Sequence, residues 1–165
     1  MKQLISSPDA PSAGGAYSPA LRVGQLLFMS GQIPIDPKTG QMVTGDAATC
    51  ARRVMDNLGA LLKAAGLDYS KVVRTTIFLA DMNDFAAVNE VYSSYFPDPK
   101  PARVTVQAAK LPRDARLEID ERESVSSGSA RTPASHRLLS IAAMAAPCMH
   151  ASRRNRSGAG SWALR

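Results

Sequence analysis

The stretch VVRTTIFLADMNDFAAVNEVY, residues 72–92, changes its apolar period partway along. Residues 72–80 are β-branched and apolar over a run too short for a helix, which predicts a strand. Asp81 and Asn83 then offer caps, and Phe85, Val88, Tyr92 and Tyr95 return at helical spacing, which predicts a helix directly after the strand. Along that strand Val73, Thr75, Ile77 and Leu79 fall on one face and Val72, Arg74, Thr76 and Phe78 on the other, so both faces carry apolar groups. A sheet holding this segment needs cover on two sides.

Upstream, QLLFMS at 25–30 reads as a buried strand closed by Gly31, and Asp36 to Gly40 reads as a turn. From Asp46 the positions Ala51, Val54, Leu58, Leu61, Leu62 and Ala65 recur every three or four residues, with Thr44 or Asp46 as N-cap and Gly66 as the stop, which predicts the first helix. Downstream, Pro97, Pro99 and Pro101 break the chain. ARVTVQAA at 102–109 predicts a further strand, LPRDA its turn, and ARLEI at 115–119 the last strand. The reading is an α+β fold with a mixed sheet and two helices. Two helices cover one face of a sheet, and with no further helix in a body of about 120 residues the cheapest cover for the other face is a second copy of the chain.

The chain has 165 residues, 45% hydrophobic and 21% charged, with a net charge of +6, which fits one folded domain and excludes a wholly disordered chain or a membrane bundle. The charge is not evenly spread. Residues 1–123 hold 14 Lys+Arg against 14 Asp+Glu, whereas residues 124–165 hold 6 Arg, 9 Ser and 9 Ala with no Lys, Asp or Glu. This divides the chain into a domain at 1–123 and a basic extension at 124–165, expected to be disordered and able to attract nucleic acid only weakly. Arg without Lys or acid is also the composition of a GC-rich reading frame translated out of phase, an expectation that the encoding DNA would decide. The N-terminal residues lack the apolar run of a signal peptide and LLSIAAMAA at 138–146 is too short to span a bilayer, so the expected location is cytoplasmic and no membrane partner is expected.

Both histidines, His136 and His150, lie in the extension, which leaves the body without a His base and excludes triad hydrolysis there. Cys148 and His150 are too few to make a metal site, and no Walker loop or GxGxxG run is present, so neither a metal nor a cofactor is expected. Arg103 and Glu118 stand out because each sits in an otherwise apolar strand. They either form a cross-strand salt bridge or face a cleft. In a cleft the Arg fork would grip a small carboxylate and the Glu would hold or deprotonate a water, an arrangement suited to adding water to a C=N bond next to a carboxylate.

SGQIPIDPKTG at 30–40, KAAGL at 63–67, the stretch 72–92 and PARVTVQAAKLPRDARLEI at 101–119 together resemble the RidA (reactive intermediate deaminase, YjgF) family, over about residues 5–120. The resemblance implies a chorismate mutase-like fold, a homotrimer with a central barrel and outer helices, and sites in the clefts between subunits. It implies hydrolysis of small enamine and imine carboxylates such as 2-aminoacrylate to 2-oxo acids and ammonia. By the same resemblance Arg103 binds the substrate carboxylate and Glu118 positions the attacking water. Tyr17, Gly31 and Asn89 complete the substrate-binding set. Read alone, Tyr17 is equally a core aromatic, while Gly31 reads better as a strand-ending turn residue and Asn89 as a solvated helix residue. The alternatives are nucleic-acid binding or ribonuclease-like activity through the extension, and a ligand-binding oligomer without turnover. Two departures from the family's pattern are Thr105, where some members carry Cys, and Asp120, Glu121, Arg122 and Glu123, which stand where an apolar run would continue the last strand.

Overall fold

The computed structural model describes residues 1–124; the Arg-rich extension beyond them, with both histidines and Cys148, lies outside the described residues, as do the expectations made for it. Six strands form one sheet: β1 (Lys2–Ile5), β2 (Ala20–Val23), β3 (Leu26–Gln32), β4 (Val72–Leu79), β5 (Ala102–Gln107) and β6 (Leu117–Ser124). Their order across the sheet is β1-β2-β3-β6-β4-β5. Only the β4–β5 pair is parallel, and the chain makes that crossover through the second helix. The fold is therefore mixed α+β, with α1 (Ala47–Ala64) and α2 (Phe85–Tyr95) packed together on one side of the sheet.

The expected helices form for the reasons their sequences give. Asp46 caps α1, its Oδ1 accepting the Thr49 N–H at 2.7 Å, and Gly66 ends the turn after it at φ 74°, where a side chain would be strained. Val54, Met55, Leu58, Leu61 and Leu62 are buried beneath α1 against Leu27, Met29, Ile77, Leu79, Leu117 and Ile119 of the sheet. Before α2, Asp81 accepts the Asn83 N–H at 2.9 Å. Arg116, just ahead of β6, donates to both oxygens of Asp84 at 2.6 and 2.8 Å and ties the start of α2 to the sheet.

Four features differ from the sequence reading. The pairing of β4 with β6 shifts register between Val72 and Arg74, so Val72 turns into the core and Val73 out of it, the reverse of strict alternation. Strand β3 runs through Gly31 to Gln32 instead of ending before it, again across a register shift. Strands β1 and β2 carried no signal, being four residues each with little alternation. The fourth feature is β6, which continues to Ser124 and pairs with β3 and β4 along its charged half.

That continuation has a consequence fixed by the period of a strand. Leu117 and Ile119 point into the core, so Glu121 and Glu123 must follow them there, while Asp120 and Arg122 alternate outward. Arg122 lies over the Phe28 ring at 5.8 Å on the open side. That open side carries exposed Leu4, Leu26 and Phe28 on one flank and exposed Val104 and Val106 on the other, with Glu118, Asp120, Arg122 and Arg74 between them. Among the described residues no helix is long and apolar enough to cross a membrane.

Candidate functional site

A cavity of about 600 Å³ opens where the loop before β2, the irregular end of β3, and the turn before β6 converge; Tyr17, Ser30, Gly31, Gln32, Arg113 and Glu118 line it. The register shift between Met29 and Gln32 brings Gly31 over β6. A Cβ at Gly31 would stand 1.9 Å from Glu118 Oε1 and 2.7 Å from its Cδ, so the carboxylate occupies the space that any other residue's side chain would need. Gly31 is thus neither a strand terminator nor interchangeable. Burial pushes the Glu118 carboxyl above the usual carboxylate range, and Asp120 on the same side of β6 adds to the shift. Among the described residues no cation pairs with it.

Tyr17 is not a core aromatic: it is 53% exposed and stands at the cavity wall, its phenol accepting the Gly14 N–H at 3.3 Å. Ser30 Oγ donates to the Ser18 carbonyl at 2.8 Å, which holds the loop against the strand, and Gln32 Nε2 donates to the Ser30 carbonyl at 3.1 Å within β3. Arg113, read in the sequence only as part of a turn, adds a cation to this cavity; it and Asp114 both sit at φ 56°. Nothing in LPRDA signals that role, because the left-handed backbone that turns Arg113 toward the cavity is set by the chain reversal and not by residue type.

Asn89 and Arg103 lie elsewhere. Arg103 Nη1 donates to Asn89 Oδ1 at 2.7 Å, and its guanidinium lies over the Tyr92 ring at 4.8 Å and the Phe85 ring at 5.6 Å. With Lys100 and Pro101 they line a separate recess of about 310 Å³. The register explains the separation. Arg103 is paired with Thr75, whose side chain faces the helices and hydrogen-bonds Tyr92 at 2.8 Å. Glu118 is paired with Phe78, on the open side of the sheet. The cross-strand salt bridge that the sequence allowed is therefore not made, and the Arg103 guanidinium lies across the sheet from Glu118. Among the described residues no group of three His, Cys, Asp or Glu side chains is placed to hold a metal ion.

The family described as endoribonuclease L-PSP matches residues 7–121. The 2-iminobutanoate/2-iminopropanoate deaminase of Mus musculus is 48% identical over 120 residues, covering 73% of this chain and 88% of the relative. A RutC family protein of Pyrococcus horikoshii is 49% identical over 120 residues, covering 73% of this chain and 95% of its own. Among solved structures, E. coli TdcF with bound serine superposes with a TM-score of 0.71 at 38% identity, covering 74% of this chain and 98% of that one. With its sheet, its two helices and its match running from the first loop into β6, the chain belongs to the endoribonuclease L-PSP family, the family of the RidA and RutC proteins.

Proposed function

We propose that the protein hydrolyses small 2-imino and enamine carboxylates to 2-oxo acids and ammonia, working as a homotrimer with its sites between subunits. The observation that carries the reading is Glu118: a half-buried carboxylate lining a cavity, paired with no cation among the described residues, with its pKa raised by burial. Relatives near 48% identity named as deaminases support the same chemistry.

In that chemistry water adds to the carbon of the C=N bond, and Glu118 takes the proton that the water loses. The resulting carbinolamine then collapses: the same carboxyl protonates its nitrogen, the regenerated carboxylate takes the hydroxyl proton, and C=O forms as ammonia leaves. An enamine enters the path after protonation at its β-carbon. The carboxylate next to the reacting carbon needs an anchor, and Arg103 is suited to it by its fork of donors, steadied by Asn89 and the Tyr92 ring. In one chain Arg103 and Glu118 lie on opposite sides of the sheet, so both can act on one substrate only if Arg103 comes from a neighbouring copy. The open face favours such an arrangement. Its two apolar flanks differ, so one copy's β1–β3 flank packs on the next copy's β4–β5 flank, a head-to-tail contact that closes into a ring. RNA cleavage has weaker support, since residues 1–123 carry equal numbers of basic and acidic groups.

The test is to generate 2-imino acids in situ with an amino-acid oxidase and follow loss of the imine, with sedimentation run on the same sample. Acceleration over buffer by a trimeric species is the expected result; no acceleration with any imine would overturn the reading. Gly31→Ala is expected to cut kcat/KM about tenfold to 100-fold, because the new methyl must displace the Glu118 carboxylate. Retained activity would mean that the carboxylate works from another position.

A further inference from the structure

Glu121 and Glu123 are 1% and 0% exposed, and none of their four carboxyl oxygens has a hydrogen-bond partner among the described residues. Leu117 and Ile119 dictate this placement through the period of β6, and neither glutamate serves the candidate site. Their surroundings offer little compensation, only the Glu123 backbone N–H acting to lower the pKa of its own carboxyl. Glu121 is flanked by Met29 of β3 and Thr75 of β4, and Glu123 by Leu27 and Val72. The titratable groups acting on Glu121 are Glu123 and Asp120, and Tyr69 and Tyr92 also feel its charge; all of these are acids. Arg22 on β2 donates instead to the Ala65 carbonyl, and Arg103 on β5 to Asn89. On α1, Arg53 is turned to Asp56 at 3.7 Å.

We propose that β6 is a proton-held strand: while Glu121 and Glu123 carry their protons its second half stays docked between β3 and β4, and losing those protons releases Asp120–Ser124 and loosens the adjoining seat of Glu118. Two ionised carboxylates without partners cannot remain in this interior, whereas the neutral acids cost far less to bury. Burial pushes Glu123 up to about 8 and Glu121 well above its ordinary value, with Glu123 and Asp120 adding to the latter shift. The sign follows. A released strand ionises both groups near the ordinary glutamate pKa, so between that value and about 8 the docked state holds the extra protons, and its advantage falls as pH rises. The inference concerns the strand and stands whatever the substrate is.

The experiment is amide hydrogen exchange of the full chain between about pH 5 and pH 9, corrected for the intrinsic pH dependence of exchange. Opening of residues 119–124 is expected to rise up to about tenfold per pH unit for each carboxyl, while α1 keeps its protection. A double variant, Glu121→Met with Glu123→Met, keeps the volume without the charge, and is expected to exchange more slowly over the same residues with a flat profile. A flat wild-type profile, or a slope that survives in the Met pair, overturns the proposal. Loss of α1 protection in step with β6 also overturns it, since the whole fold would then be opening and not the strand. The wild-type profile decides even if the double variant fails to fold.

Discussion

Glu118→Gln is expected to cut imine turnover about 100- to 10,000-fold, the usual worth of a positioned general base, while leaving affinity for a 2-oxo acid product analogue close to that of the parent chain. The amide keeps the shape that fills the space over Gly31 but can neither take a proton from water nor pass one to the departing nitrogen. The pH profile gives the same test a second axis. A base must be ionised to act, so kcat/KM is expected to rise with pH through the Glu118 pKa, which burial and Asp120 hold above the ordinary carboxylate range. That acid limb is expected to disappear in the Gln variant. Undiminished turnover would assign water activation to the backbone or to the substrate itself. Equal losses in turnover and in analogue affinity would instead make Glu118 a residue that only shapes the cavity.

The parts of this molecule that were legible in its sequence are those written in a single period. The α1 stripe, the β4–α2 junction and the cap at Asp46 each rest on neighbouring residues and appear where the spacing places them. What escaped depends on partners distant in sequence. The Val72/Arg74 shift arises from pairing with β6, and β1 and β2 exist because β3 offers an edge to pair with. The same limit governs the site. Arg103 and Glu118 were conspicuous as charges in apolar strands, and the sequence let them be neighbours. Only the register, Thr75 against Arg103 and Phe78 against Glu118, sends them to opposite sides of the sheet. Charges after Ile119 read as the end of a strand, yet the ladder with β3 and β4 carries them inward, because backbone pairing on both sides outlasts the side-chain preference. Thr105 faces the helix side with Arg103, away from the Glu118 cavity of its own chain.

The opposed placement of Arg103 and Glu118 leads to the second large effect. Arg103→Ala is expected to lower kcat/KM about 30- to 1000-fold, the loss of a charge-assisted fork on a carboxylate, worth about 2 to 4 kcal/mol in a partly desolvated recess. Arg103→Lys is expected to recover little, since a point charge cannot hold both carboxylate oxygens or stack on Tyr92 as the planar guanidinium does. If the substrate bridges two copies, the two inactive variants repair each other. Arg103→Ala chains keep Glu118, Glu118→Gln chains keep Arg103, and a ring assembled at random from equal amounts of both brings an intact Arg103 against an intact Glu118 in about a quarter of its interfaces. Unfolding and refolding the variants together is therefore expected to restore about a quarter of the parent activity, whereas refolding each alone leaves it at its own low level. A site contained within one chain predicts no recovery from the mixture, because every chain then lacks one of the two groups. Arg103→Ala chains that keep most of the parent activity on their own would place the carboxylate anchor elsewhere in the Glu118 cavity, where Arg113 is the cation at hand.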